Sequence, residues 1–382
     1  MTDSIMNHRG VALLAFLVLW VWMAPAGADQ VPNLTGTWDG ISVDTYSESG
    51  GYENATGIQE YQITLTQEGR FFAGNESYRE SANGPVTQEP NAGVISSDGK
   101  YFWRDHDRSG ISFGEMLSDH EYMDYMLFPN DGPLVIAAHL VKNGTQPSGV
   151  IPEPVNLTGT WNTTSQRREN GTAVVGTVTI TDQQGSLFSG LIQVPEENGT
   201  LVQMKIFGVT STNGRFYAVT DSHAYYVGDI TGEDSIHYVV VHPQDDDETF
   251  VLDRQLTRNA QTPDISPATY PDLAGDWNIT ARTVIQNGTI THTEASDTEW
   301  MAYSDQTGPF FTATRHSDDP TTPPVMKISG IFNGETDAFL ASAAPTYVLY
   351  HIIDENIIEA IVMRKEGDSR VYVDTLVRNL TS

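Results

Sequence analysis

The chain of 382 residues has no cysteine, few basic residues, and no long apolar run beyond its first two dozen positions. The lack of cysteine excludes disulfide scaffolds, thiolate metal sites and cysteine nucleophiles. Lys and Arg number 20 against 50 Asp and Glu, a formal net charge of −30. That balance argues against nucleic acid, because phosphate binding needs clustered cations. It also disfavours an anionic membrane surface. No Gly-x-Ser-x-Gly, P-loop, dinucleotide fingerprint or His-Glu-x-x-His occurs, so enzyme classes that announce themselves by motif have no support. No cofactor is expected beyond weak divalent-cation binding on acidic faces. What remains is a chain with 39% hydrophobic residues. That is too apolar for wholesale disorder, and at roughly 100–200 residues per domain it suggests two to four domains.

Residues 1–28 read as a secretory signal: His8 and Arg9, an apolar run from Val11 to Met23, then Ala26-Gly27-Ala28 as an A-x-A cleavage site. The run is short of the roughly 20 residues of a membrane span, so a mature chain starting at Asp29 is expected, with no membrane span after signal removal. The tail from Arg378 to Ser382 carries no hydrophobic sorting signal. The glycosylation pattern Asn-x-Ser/Thr occurs at Asn33, Asn54, Asn75, Asn143, Asn156, Asn162, Asn170, Asn198, Asn278, Asn287 and Asn379, 11 of the 19 Asn. Chance gives roughly three, so the excess supports a secreted or cell-surface glycoprotein. Many glycans without disulfides fit an archaeal envelope.

Internal repetition dominates the rest. Asn33-Leu34-Thr35-Gly36-Thr37-Trp38 returns as Asn156-Leu157-Thr158-Gly159-Thr160-Trp161 and again as Asp272-Leu273-Ala274-Gly275-Asp276-Trp277. Gln67-Glu68-Gly69 is echoed by Gln183-Gln184-Gly185 and Gln306-Thr307-Gly308. Each copy ends alike, in Leu140-Val141-Lys142, Leu256-Thr257-Arg258 and Leu376-Val377-Arg378. Collinear markers of this kind define three modules, 31–146, 154–262 and 270–382, separated by Pro-rich joints that read as short stiff linkers.

In the second module eight β-rich runs can be drawn, 157–163, 174–181, 186–194, 200–210, 213–220, 223–230, 235–242 and 249–258. Thr212-Asn213-Gly214-Arg215 is expected as a hairpin turn, because Asn-Gly tolerates the positive φ of type I′; Ser97-Asp98-Gly99-Lys100 and Asn333-Gly334 are its counterparts. The fold class is therefore all-β: three tandem antiparallel meander barrels of about eight strands each, with a β-sandwich or propeller-like modules as the alternatives. In an eight-stranded meander the first strand starts and the last strand ends at the same end. Leu256 and Arg258 share a face; if Leu256 points inward, Arg258 lies over Trp161 as a cation–π contact. Lys142 with Trp38 and Arg378 with Trp277 repeat this barrel closure.

Gly-x-Trp on a first strand closed by a basic residue from the last resembles the calycin group: lipocalins, fatty-acid-binding proteins and avidins. Leu-Thr-Gly-Thr-Trp is especially similar to avidin, as is Gly185-Ser186-Leu187-Phe188-Ser189-Gly190. The meander topology puts the other set of connections at the end opposite the Trp, the open mouth of each barrel. Avidin's biotin-contacting residues have no counterparts, and lipocalin disulfides are absent.

At that open end the connections 44–58 and 79–90 of module one, and 282–293 and 316–323 of module three, are long and divergent, so binding is expected there. Module two, with short loops, reads as a spacer. Asp245-Asp246-Asp247-Glu248 lacks the alternation of a calcium loop and reads as a solvated hairpin tip. Asp105-His106-Asp107-Arg108 reads as a surface turn. His223, His237 and His242 do not form a zinc triad, since His237 and His242 face opposite sides of a sheet. The aromatic runs Tyr101-Phe102-Trp103, Phe216-Tyr217 and Tyr225-Tyr226 read as core packing and outward cross-strand pairs. No catalytic, cofactor-binding or metal residues emerge. The leading expectation is a non-catalytic surface protein binding small ligands or glycans at barrel mouths. The alternatives are a structural cell-envelope component, pictured as three beads in series, and a barrel enzyme of unknown reaction.

Overall fold

The computed structural model describes residues 31–54, 61–79, 84–106, 110–129, 132–148, 151–167, 173–195, 199–242, 250–258, 270–294, 299–317, 325–332, 338–343, 346–364 and 370–380. Every regular element among them is a strand. Module one comprises β1 (Gly36–Ser47), β2 (Gly51–Asn54), β3 (Gln62–Glu68), β4 (Phe71–Arg79), β5 (Val86–Ile95), β6 (Tyr101–His106), β7 (Gly110–Ser118), β8 (Glu121–Phe128) and β9 (Leu134–Lys142). Module two runs through β10 (Gly159–Arg167), β11 (Ala173–Gln184), β12 (Leu187–Pro195), β13 (Leu201–Thr210), β14 (Arg215–Thr220), β15 (Tyr225–Gly232), β16 (Ser235–His242) and β17 (Phe250–Thr257). Module three is β18 (Gly275–Gln286), β19 (Thr289–Glu294), β20 (Trp300–Thr307), β21 (Phe310–His316), β22 (Val325–Phe332), β23 (Ala338–Ala343), β24 (Thr346–Asp354), β25 (Ile357–Arg364) and β26 (Arg370–Arg378).

Each module is an antiparallel meander closed by its first and last strands: β1 with β9, β10 with β17, and β18 with β26. The eight runs read from module two fall on β10–β17 within a few residues of each end. Along a strand, alternate residues enter the barrel. On β16, Ile236, Tyr238 and Val240 belong to the interior of module two. The interiors of modules one and three are built the same way. A repeated pair fixes one contact in each: Phe72, Phe188 and Phe311 lie where a Cβ on Gly93, Gly208 or Gly330 would sit, with the ring Cζ at 2.2, 2.1 and 1.9 Å from it. Only glycine leaves room there.

Three expectations change. The connections 44–58 and 282–293 are not open loops. β1 runs on to Ser47 and turns into β2, and β18 runs on to Gln286 and turns into β19, giving modules one and three a two-stranded arm. The hairpin at Asn213 is not type I′, because positive φ occurs at Gly214 (87°) and not at Asn213. Gly214 N–H donates to Ser211 O (3.3 Å) and Ser211 N–H to Arg215 O (2.9 Å), a longer loop ended by a left-handed glycine. Ser97-Asp98-Gly99-Lys100 follows suit, with φ 72° at Gly99 alone; Asn333-Gly334 lies outside the described residues.

The third change concerns assembly. The modules are not beads in series. The last strand of each packs on the fourth barrel strand of the next: β9 on β13, β17 on β22, and β26 back on β5. The contacts β1·β12 and β18·β4, and β8·β14 and β16·β23, extend the same pairing of faces. A head-to-tail interface that returns to its start makes a closed ring, here within one chain and with pseudo-threefold arrangement. A single apolar cluster gathers outward-facing residues of all three barrels, among them Val94, Phe113, Tyr125, Val209, Tyr217, Val239, Ile331, Ile361 and Val373. Strands so placed are apolar on both faces, because both faces are buried.

Candidate functional site

The ends carrying the Gly-x-Trp motif are shut in the same way three times. Leu34, Leu157 and Leu273 plug the barrels and are at most 1% exposed. The Trp38, Trp161 and Trp277 indole N–H groups donate to the carbonyls of those leucines at 2.8, 2.8 and 2.9 Å. Lys142 Nζ lies 5.4 Å from the Trp38 ring centre, and the guanidinium carbons of Arg258 and Arg378 lie 4.5 and 4.7 Å from Trp161 and Trp277. Each cation also donates to the backbone carbonyl just before the plug, on Asn33, Asn156 or Asp272. The glycine of each motif has φ near 120° (126°, 121° and 120°), a value that L side chains rarely adopt. The repeated glutamine is more than a marker of the repeat. It is a clamp: Gln67, Gln183 and Gln306 each accept the plug leucine N–H and donate to the carbonyl of Pro32, Val155 or Pro271. Its recurrence at the end of the second barrel strand was the available signal.

Above these floors the barrels hold different polar groups. In module one Arg104, 1% exposed, donates to Glu76 (2.7 Å), Asp124 (2.5 Å) and the Tyr61 hydroxyl (3.0 Å). Burial holds the Tyr61 hydroxyl well above its ordinary pKa, against the pull of Arg104. In module three Arg282 bridges Glu299 (2.5 Å) and Asp374 (2.7 Å), and Arg315 joins Glu299 at 3.1 Å. Burial alone would raise the Glu299 pKa; the hydrogen bond and charge of Arg282, with Arg315, bring it below the ordinary value. Module two differs. Arg254, 6% exposed, points inward beside Tyr226 and Tyr238. Among the described residues no carboxylate neutralises it, and its Nε and Nη1 have no acceptor. A buried cation without a counterion is costly; Arg254 hydrogen-bonds Tyr238 and still keeps two donor nitrogens without an acceptor. No motif marks it. The signal would have been Arg at an inward register on the last strand, where the other copies have Ala138 and Asp374.

The other sequence candidates fall elsewhere. Asp105 is not on a surface turn: it is 2% exposed on β6 and accepts the Arg370 N–H of module three at 3.1 Å, because the ring covers it. Residues 107–109 and the run Asp245 to Glu248 lie outside the described residues. His237 pairs with Asp253 at 2.6 Å and so is committed to an acid rather than grouped with His223 and His242. Its pKa is raised: burial lowers it, and the hydrogen bond and charge of Asp253 outweigh that. The aromatic runs split by register. Phe102, Phe216 and Tyr226 enter barrels, whereas Trp103, Tyr217 and Tyr225 go to the shared seam. Of the glycosylation candidates, Asn33, Asn54, Asn75, Asn143, Asn156, Asn278 and Asn287 are exposed and Asn162 and Asn379 half-buried. Asn170 and Asn198 lie outside the described residues. No helix of the described residues is long and apolar enough to cross a membrane.

No protein-family model matches the chain, and neither does a curated protein. Among solved structures, a redesigned β-barrel aligns at 16% identity over 27% of this chain and 91% of its own, with a TM-score of 0.23. A protein of unknown function from the DUF3598 family of Nostoc punctiforme aligns at 11% identity over 60% of this chain and 98% of its own, TM-score 0.26. Transferrin binding protein B of Neisseria meningitidis aligns at 10% identity over 90% of this chain and 76% of its own, TM-score 0.23. All three contain β-barrels, and at these TM-scores they say nothing of function. The calycin-like character rests on the chain itself: three meander barrels, each shut by a Gly-x-Trp strand and a basic residue from the last strand.

Proposed function

We propose that the chain is an exported, N-glycosylated, non-catalytic binding protein whose middle barrel takes a small acidic ligand with an apolar body. Arg254 carries this reading, as a buried guanidinium with donors to spare. The apolar surround of Leu252, Val240 and Tyr226 suits the body of such a ligand, and the anion would replace the acid that modules one and three supply from their own chain. This moves the expected binding role away from modules one and three. Their arms are engaged in holding the ring together, and module two is more than a spacer. The signal at 1–28 and the exposed Asn positions support export and glycan attachment.

The test is native and denaturing mass spectrometry of protein from its own host, together with titration of the anionic apolar dye anilinonaphthalene sulfonate. Mass lost only on denaturation, and dye binding weakened at least tenfold by Arg254→Met, are the expected results. Equal dye binding by wild type and Arg254→Met would overturn the reading.

A further inference from the structure

A recess lies outside every barrel, on the pseudo-threefold axis of the ring. All three modules line it: Tyr101, Trp103 and Phe113 from the first, Arg215, Tyr217, Val227 and Val239 from the second, and Leu349, His351 and Ile361 from the third. No single module contains it. We propose that this recess binds a small aromatic acid, its ring among the axial aromatic and aliphatic side chains and its acid group on Arg215 and His351.

The gap has a cause in the broken symmetry of the repeat. Strands β7, β15 and β24 place Phe113, Val227 and Leu349 at matching positions facing the axis. Three phenylalanines would crowd that axis; Phe113 with Val227 and Leu349 leaves a cavity of about 60 Å³. A dry cavity of about 150 Å³ holds a whole benzene. A ring here therefore inserts one edge, and its remainder sits in the mouth between the half-buried Tyr101, Trp103 and Arg215. The Phe113 and Tyr217 rings stack on each other at 4.4 Å, and both line the recess. Aromatic rings in a lining favour aromatic partners in offset or edge-on geometry.

Arg215, a permanently charged side chain of the lining, decides the charge of the ligand. Arg215 lies over the Tyr101 ring at 5.4 Å, and its Nε meets Asp229 at 3.1 Å. That uses part of a guanidinium with five donors. His351 is held by Ser97 across the seam, with Nε2 3.0 Å from the hydroxyl. A carboxylate at this rim gains a charge-assisted hydrogen bond from Arg215. A cation would meet Arg215 repulsively. Because the site exists only in the closed ring, its ligand stabilises the closed state.

The site is separate from Arg254, so the two proposals fail separately. The full mature protein would be titrated with benzoate, and with benzylamine as the cationic control. Methyl NMR shifts of Val227, Val239, Leu349 and Ile361 give the readout. Saturable benzoate shifts at these methyls are expected, with benzylamine weaker. Affinity should fall at least tenfold in Arg215→Met, be largely kept in Arg215→Lys, and be unchanged in Arg254→Met. Val227→Phe, which fills the gap with the side chain found in module one, should abolish the shifts while the thermal midpoint reports folding. No saturable shift up to 10 mM benzoate, on the order of the weakest specific binding, would overturn the proposal. So would equal affinity in folded Arg215→Met, or loss in Arg254→Met alone.

Discussion

The Glu115 carboxylate accepts both the N–H (3.1 Å) and the hydroxyl (2.7 Å) of Thr212, which sits in a hairpin turn of the next module. The same place in the repeat is taken by His351 and Ser97, 3.0 Å apart, where module three meets module one. Two chemically different pairs thus do one job, docking a turn of one barrel on the sixth barrel strand of its neighbour. Glu115 is 7% exposed and also accepts from the Tyr125 hydroxyl at 3.2 Å. Glu115→Ala leaves the Thr212 N–H with the Tyr125 hydroxyl alone, at 3.3 Å, and takes the acceptor from the Thr212 and Tyr125 hydroxyls. A loss of about 1–3 kcal/mol in urea unfolding is expected; a change within error would mean that Tyr125 alone holds the Thr212 turn in the seam.

Ring closure has its own lock. Arg70 grips Glu359 with two parallel hydrogen bonds, 3.0 and 2.8 Å, between the first and third modules. Arg70→Met should raise amide exchange in β4, β5 and β26 without changing it in β13, β14 and β15. Uniform acceleration across the chain would show that the seams do not open one at a time.

The three Phe-over-Gly contacts predict a steric penalty. Gly208→Ala would set a methyl 2.1 Å from Phe188 Cζ, so the ring must move. Overpacking of this kind costs about 1–3 kcal/mol. The thermal midpoint of Gly208→Ala should fall, and Phe188→Leu on the same chain should restore part of the loss.

The closing cation can be tested in module two. Arg258 lies over Trp161 and donates to the Asn156 carbonyl. Arg258→Met keeps the aliphatic cover but removes both interactions. A cost of about 1–2 kcal/mol is expected from the cation–π and hydrogen-bond contributions, read as a shift in the denaturant midpoint.

His237 gives a pH signature. Its folded pKa is raised above the unfolded value, with burial opposing and Asp253 prevailing. The protonated pair therefore stabilises the fold fully below the unfolded value of about 6.5, and the contribution fades as pH rises through the higher folded value. Wild type should exceed His237→Gln in stability most at pH 5.5–6, with the gap narrowing in alkaline buffer. A gap that widens with pH would reverse the assignment.

Much of this architecture is local and so was written in the order of residues. Triplication follows from the returns of Trp38 at Trp161 and Trp277. The barrel follows from alternating β-rich runs, and the shut floor from Leu256 and Arg258 sharing a face two residues apart. The order of residues thus carries three barrels, their shared closure and the positions of the Asn-x-Ser/Thr motifs. It could not determine how the barrels meet. Period two separates Ile236 from Val239 but does not say that Val239 is buried as well; that depends on the outer faces of the other barrels. Nor could it show that the arms after Val43 and Val284 serve the ring, as Tyr46 does in bonding to Asp182 (2.9 Å) and Ser189 (2.8 Å). Arg104 and Arg254 look alike in sequence. The fold sets them apart: one meets two carboxylates across its barrel and the other meets tyrosines, because a counterion is chosen by distance in space and not along the chain.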